Sequence, residues 1–255
     1  MSATILRIDL NADLGENPAA LIDGSERSLI RLITSANVAC GGHAGDELSM
    51  RSVVELCKSA GVAVGAHPGF PDRAGFGRQS MTISDKALEA SLRQQVCALA
   101  RIAAEFRVTV RHVKPHGALY HSSAMNVLLA ELIARSVAAV DKSFVLVGLA
   151  GAPVLDVWRK AGFAVVGEAF ADRRYDSGGS LRSRHHPDAV IENPFEAARQ
   201  AVDIVCGGGV KTTDGGWLTM QAQTLCIHGD TKNAAVIAAA VRSALEDEGV
   251  RISAF

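Results

Sequence analysis

The stretch "VTVRHVKPHGALYH" (108–121) changes character halfway along. Its opening, rich in β-branched residues, reads as a buried strand. Lys114 and His116 then flank a proline just where that strand ends. A surface turn needs neither residue, whereas a site that holds anions and moves protons uses both. Similar β-branched runs recur on either side: 4–10, 34–39, 62–66, 144–148, 163–168 and 224–228. Amphipathic stretches at 24–33, 46–60, 84–105, 124–140, 152–161, 194–206 and 231–248 lie between them. Within 84–105, Ser84 suits an N-cap, and Leu88, Leu92, Val96 and Leu99 recur at helical spacing. Such alternation predicts parallel strands joined by helical crossovers. Seven strands without an obvious edge strand favour a (β/α)7 TIM-like barrel, an α/β fold, as one domain over 1–255.

The bulk numbers agree. Of 255 residues, 48% are hydrophobic and 21% charged, enough for a sizeable core. A net charge of −1 gives no basic excess to attract nucleic acid or an anionic membrane, so a small-molecule partner is expected. No apolar run approaches the roughly 18 residues needed to cross a bilayer, and the N-terminus lacks a signal-peptide core, so the cytoplasm is the expected compartment. Five cysteines without a CxxC pair argue against a disulfide framework or a structural zinc site. "RRYDSGGSLRSRHHP" (173–187) is the one long polar loop, and suits either a lid or an exposed excursion.

Polar residues gather at the strand ends. The first strand runs into Asp9, Asn11, Asp13 and Glu16, and the second into Asn37 and His43. The third delivers His67, followed by Asp72, Arg73 and Arg78; the fourth delivers Lys114 and His116. The sixth leads to Glu168, Asp172 and Arg173, and the seventh to His228 and Asp230. In a parallel barrel all these ends share one face, where barrel enzymes build their sites. Structural roles compete residue by residue: Asp46 and Asp230 suit N-caps, and a lone histidine after a strand is more often structural than catalytic. Four of eight histidines at strand ends are harder to assign to packing; His112 reads as packing, and His121, His185 and His186 as peripheral. Asp13, His43 and His67 form a possible ligand set for a divalent metal, although no HExxH is present. No P-loop pattern occurs, "GGGVKTTDGG" reads as turns, and Cys40, three residues from His43, is a weak nucleophile candidate.

Seven stretches taken together resemble the LamB/YcsF family, the A subunits of bacterial 5-oxoprolinase. They are "IDLNADLGE" (8–16), "SANVACGGHAGD" (35–46), "GAHPGFPDRAGFGR" (65–78), "RHVKPHGALY" (111–120), "VGLAG" (147–151), "EAFADRRY" (168–175) and "TLCIHGD" (224–230). They run in the family's order across nearly the whole chain. The resemblance implies a seven-stranded barrel similar to the glycoside hydrolase/deacetylase fold. It also implies an ATP-dependent opening of the lactam 5-oxo-L-proline to L-glutamate, with two partner subunits, B and C. The chain departs from the family at Gly42, where an aromatic residue is usual, at Gly178-Gly179 and Arg182-Ser183-Arg184 in the long loop, and at His121.

These expectations assign roles. Lys114 and Arg73 or Arg78 bind carboxylate or phosphate. His116 is a general base or acid. Asp13 or Glu16 orients a water or a histidine, and His67 and His228 stabilise an oxyanion or hold a metal. Asn11, Asn37, His43, Asp72, Asp172, Arg173 and Asp230 complete the expected substrate-binding set. Two other readings compete: a metal-dependent deacetylase of acetylated sugars, and a non-catalytic subunit that presents the lactam to its partners.

Overall fold

The computed structural model describes residues 6–255. Strand β1 (Arg7–Leu14) establishes the pattern of the interior. Ile8, Leu10, Ala12 and Leu14 alternate with Asp9, Asn11 and Asp13, and all seven are buried. Side chains on a strand alternate between its faces, so the apolar set packs outward under the helices and the polar set enters the barrel. The interior of this barrel is therefore polar on one strand along its whole length, unlike the branched aliphatic filling usual for such barrels.

Strands β2 (Ser35–Ala39), β3 (Ala63–His67), β4 (Val110–Val113), β5 (Val145–Leu149), β6 (Val165–Phe170) and β9 (Thr224–Cys226) follow in parallel order. β9 pairs with both β6 and β1, through Glu168↔Thr224 and Asp9↔Thr224, and this closes a seven-stranded barrel. The closed parallel barrel expected from the sequence is the one observed. A short strand, β10 (Arg251–Ile252), pairs beside Arg7 and Ile8 at the start of β1.

The crossovers are α1 (Pro18–Ile22) with α2 (Ser25–Ile30), α3 (Glu47–Ala60), α4 (Asp85–Glu105), α5 (Gly117–Met125) with α6 (Val127–Ala138), α7 (Val154–Lys160), α8 (Pro194–Val205) and α9 (Ala234–Asp247). Asp46 caps α3 in a reciprocal capping box with Ser49. Asp230 caps nothing; Asn233 holds the N-cap position of α9. On α4, Leu88, Leu92, Val96 and Leu99 form the buried stripe that their spacing predicts. Among the described residues, no helix is long and apolar enough to cross a membrane.

Three local expectations fail. The first strand extends to Leu14, beyond the expected end at 10, because residues with polar side chains continue the ladder inside the barrel. The expected start, residues 4 and 5, lies outside the described residues. The stretch after Pro115 is helix α5, whose mixed small and polar residues carry no apolar periodicity. "GGGVKTTDGG" forms most of an antiparallel hairpin, β7 (Gly209–Lys211) with β8 (Trp217–Thr219), rather than turns alone.

Candidate functional site

At the C-terminal ends of the strands lies a cavity of about 470 Å³. Its floor and walls include Asp13, Glu16, His67, Lys114, His116, Tyr120 and His228. Arg78, Arg173, Arg182, Arg184 and Asp230 also line it. Strand ends from four sides of the barrel thus meet in one space, as the shared-face argument requires.

The densest cluster joins the loop after β1 to the ends of β2, β3 and β4. Glu16 Oε1 lies 3.0 Å from His43 Nε2, 3.1 Å from His116 Nδ1 and 3.7 Å from His67 Nε2. The His43 and His116 rings stack with centroids 3.5 Å apart, and His67 stands edge-on to both. Backbone carbonyls set two of the rings. His67 Nδ1 lies 2.7 Å from Lys114 O, and His116 Nε2 lies 3.0 Å from Phe76 O. A carbonyl only accepts, so each of these nitrogens carries the hydrogen. Phe76 has φ 54°, a left-handed conformation that costs energy for a bulky residue and aims its carbonyl at His116. Burial lowers the basicity of His43, to about 4, and that of His116. Burial opposes a proton on His67 as well, but the Asp13 carboxylate outweighs it and raises that group. Burial would raise the Glu16 carboxyl; the imidazoles of His116 and His43 outweigh it and hold it well below the usual range.

Asp13 belongs to a neighbouring network. Its Oδ1 accepts from Lys114 Nζ at 2.9 Å and from Asn37 Nδ2 at 2.8 Å, and its Oδ2 faces His67 Nε2 at 3.3 Å. Lys114 is 2% exposed and also pairs with Glu168 Oε1 at 2.8 Å. Burial works against the charge of Lys114, but Asp13, with help from Cys226 and Glu168, keeps it well above its ordinary value. Lys114 is thus the node of an interior ion-pair network, with its hydrogens spent on Asp13, Glu168 and Cys226.

On the opposite wall, Asp172 is fully buried and accepts from the backbone N–H of His228, from its ring Nδ1 at 3.0 Å and from Thr231 Oγ1 at 2.7 Å. Those bonds put the hydrogen on His228 Nδ1 and leave Nε2 as the exchangeable nitrogen, the arrangement of an acid–base histidine with its orienting carboxylate. The Phe170 ring stacks on His228.

Several residues expected to bind substrate do not line the cavity. Asn11 and Asn37 sit beneath it: Asn37 Nδ2 donates to Asn11 Oδ1, and Asn11 Nδ2 donates to Glu168 and Thr224. Asp72 closes a turn by accepting from Gly75 N–H. Arg73 is turned away and donates to the carbonyls of Gly41 and Gly45. Asp172 acts through His228, and His43 lies behind His116 at 1% exposure. The expected metal set also changes composition. Glu16 and His116 join His43 and His67 in one group of ligand atoms within 4.8 Å of one another, whereas Asp13 falls in a second group with Cys226 and His228. Cys40 is buried with its thiol pushed up to about 12 by that burial, which removes it as a nucleophile.

Sequence reasoning missed Tyr120, His121 and His185, all of which line the cavity. Tyr120 N–H bonds to His116 O, so Tyr120 sits one helical turn beyond His116. Reading 117–125 as a helix was the signal that could have found it. His121 and His185 depend on how the long loop folds. That loop is tied down by the bridges Arg173↔Val190 and Tyr175↔Leu181, and it brings Leu181 through His185 over the cavity. Asp230 pairs with Arg78 from one side and with Arg184 of the loop from the other. At Gly42, a Cβ would stand 2.3 Å from Gln95 Oε1. The Gln95 amide fills that space and bonds to the Gly69 N–H and carbonyl.

Comparison with known proteins matches residues 8–255 to the LamB/YcsF family model. The chain belongs to the LamB/YcsF family. It is 46% identical over 250 residues to a Chloroflexus aurantiacus protein named as the A subunit of 5-oxoprolinase, covering 98% of this chain and 99% of that protein. A crystal structure of a lactam utilization protein from Thermus thermophilus superposes with a TM-score of 0.90 at 44% identity, covering 98% of this chain and 100% of that one. A family 4 carbohydrate esterase from Streptomyces lividans shares the fold alone, with a TM-score of 0.51 at 13% identity over 98% of this chain and 92% of that one. The LamB/YcsF barrel thus has the deacetylase-like architecture that the resemblance implied.

Proposed function

We propose that this chain is the lactam-opening component of an ATP-dependent 5-oxoprolinase, converting 5-oxo-L-proline and water to L-glutamate in a cytoplasmic assembly with subunits B and C. The observation that carries this reading is the pairing of two proton-transfer walls across one cavity. Glu16, His67 and His116 stand on one side, and His228 held by Asp172 stands on the other. Full-length relatives named as 5-oxoprolinase A subunits support the substrate class.

A lactam carbonyl is a poor electrophile because resonance with nitrogen stabilises it. ATP, consumed within the assembly, offsets this by phosphorylating the lactam oxygen with release of ADP; after ring opening, a second water cleaves the resulting acyl phosphate to glutamate and phosphate. In this chain, Glu16 and His116 hold a water and take its proton as it adds to the carbonyl carbon. The carbon–nitrogen bond then breaks, and His228, doubly protonated beside the Asp172 carboxylate, delivers its Nε2 proton to the departing nitrogen and becomes neutral, while the proton taken by Glu16 and His116 returns to solvent. Asp172 keeps that histidine in the required tautomer. Lys114 fixes Asp13 beside His67. Arg78, Arg173, Arg182 and Arg184 give the mouth a positive lining suited to the carboxylate of 5-oxoproline. The cavity volume is in the range that encloses small ligands.

The test is reconstitution. Glutamate formed from 5-oxoproline is measured with all three subunits, with ATP present or withheld, and with each component omitted in turn. Turnover is expected only from the complete mixture with ATP, and His228→Ala is expected to lower it by about 10²–10⁴. Full turnover without this chain removes the proposal. Wild-type turnover in His228→Ala removes His228 from the mechanism.

A further inference from the structure

We propose that Glu16 Oε1, His67 Nε2 and His116 Nδ1 form a binding site for one divalent transition-metal ion of the imidazole-preferring class, such as zinc or cobalt, with His43 stacked behind His116 and bonded to Glu16. His67 Nδ1 and His116 Nε2 each face a backbone carbonyl and must carry the ring hydrogen. In the neutral rings, His67 Nε2 and His116 Nδ1 are then bare lone pairs, yet they face each other at 3.0 Å. The same two nitrogens face Glu16 Oε1 at 3.7 and 3.1 Å, and His67 Nε2 also faces Asp13 Oδ2 at 3.3 Å. Carboxylate oxygens likewise only accept. Electron pairs therefore converge on one point from several directions, and only a positive charge placed among them turns the contacts from repulsive to attractive.

The spacing suits a metal ion. Bonds of 2.0–2.1 Å in a tetrahedral shell separate ligand atoms by about 3.3 Å. The contacts among Glu16 Oε1, His67 Nε2 and His116 Nδ1 run from 3.0 to 3.7 Å. Supporting partners are already in place behind the rings. The Lys114 and Phe76 carbonyls lock the two rings in the ligating tautomer, the device commonly found behind metal-bound histidines. Two imidazoles and one carboxylate, with a remaining position for water, favour zinc-like ions over magnesium or calcium, which prefer all-oxygen shells. Such an ion, when bound, lowers the pKa of a coordinated water. This inference rests on the same floor as the proposed function and alters one role there: with an ion bound, Glu16 Oε1 and His116 Nδ1 act on the water through the ion rather than as the direct base; the site itself stands on ring geometry alone.

The experiment uses the isolated full-length chain, without ATP, lactam or partner subunits. After chelation and dialysis, zinc and cobalt are titrated separately. Bound metal is counted by elemental analysis, cobalt by its visible absorption, and stabilisation by the shift in Tm. One ion per chain is expected, with affinity lowered at least about 100-fold in His67→Ala and in the near-isosteric Glu16→Gln. His228→Ala is expected to leave the stoichiometry at one, which separates this site from the Asp13, Cys226 and His228 group. Magnesium is expected to give no shift. Absence of stoichiometric binding overturns the proposal, as does metal lost from His228→Ala but kept by His67→Ala. If a variant fails to fold, imidazole nitrogen NMR of the unsubstituted chain decides the matter. A metal-free His67 carrying hydrogens on both nitrogens, unchanged on adding zinc, means that a proton supplies the missing charge and no metal site exists. Failure of the lactam assay with metal bound would count against the proposed function and leave the site standing.

Discussion

The barrel holds two buried polar regions, one above the other, and they are built on opposite rules. In the lower one, Asp9 receives hydroxyl hydrogens from Thr34, Ser35 and Thr224, while Asn11 and Asn37 exchange amide bonds with each other and with Asp13, Glu168 and Thr224. Most donors there meet acceptors; Glu168 Oε2 and His112 Nδ1 are the exceptions. In the upper one, around Glu16, His67 and His116, ring nitrogens crowd against one another and against carboxylates, and a positive charge among them, proton or metal, is what makes those contacts attractive. Burial, polar identity and strand-end position are common to both regions. What separates them is the crowding of ring nitrogens and carboxylates in the upper region, and the proposed function rests on that crowding rather than on polarity alone.

The largest effect that tests this contrast comes from the upper region. His116→Ala is expected to cut turnover of the reconstituted enzyme by about 10²–10⁴ while Tm stays within a few degrees. Near-normal turnover in a folded variant would erase the distinction between the regions. Asp9→Ala should behave in the opposite way. It strands three hydroxyl donors and is expected to cost about 3–4 kcal/mol, a fall in Tm of roughly 6–15 °C, with turnover per folded molecule little changed. Thermal melts alongside rates measured well below the transition check this. A large loss of turnover at constant Tm would show that the lower region also takes part in the chemistry.

A carboxyl behind the upper region sharpens the boundary. Glu26 is 6% exposed; one oxygen accepts from Gly15 N–H at 2.9 Å, and the other has no partner. Burial raises this group from 4.5 to about 7. The folded state therefore holds a proton that the unfolded chain releases. Its stabilising share is complete below pH 4.5 and is lost as pH rises through about 7. Glu26→Gln is expected to abolish that slope, which is on the order of 3 kcal/mol between pH 4 and 8. Urea unfolding of both proteins across that range reads it directly, and parallel curves would refute it. The smallest effect belongs to Arg73, whose guanidinium serves only loop carbonyls. Arg73→Ala should cost about 1 kcal/mol of stability and change KM less than threefold, whereas loss of Arg78 from the cavity wall should raise KM more.

The order of strands and helices was legible because apolar periodicity survives in the crossover helices except α1, which buries no residue, and α5, where "GALYHSSAM" has no apolar stripe. Asp13, Glu16, His67, Lys114, His116 and His228 were legible as neighbours because parallel strand ends share one face. Arg73 and Arg78 illustrate the limit. Both follow β3 in one glycine-rich loop, yet one turns to the carbonyls of a neighbouring loop and the other to the cavity. Backbone torsions in that loop make the choice, including the left-handed Phe76. Residue type does not.

Read alone, the chain reveals a seven-stranded parallel barrel, the face that carries its chemistry and the family to which it belongs, because periodicity and ordered motifs are local properties of the polymer. Only the folded molecule decides which buried polar atoms satisfy one another and which do not. A hydrogen bond depends on distances of tenths of an ångström between residues far apart in sequence, and here such contacts set the lower layer apart from the one on which the proposed chemistry rests.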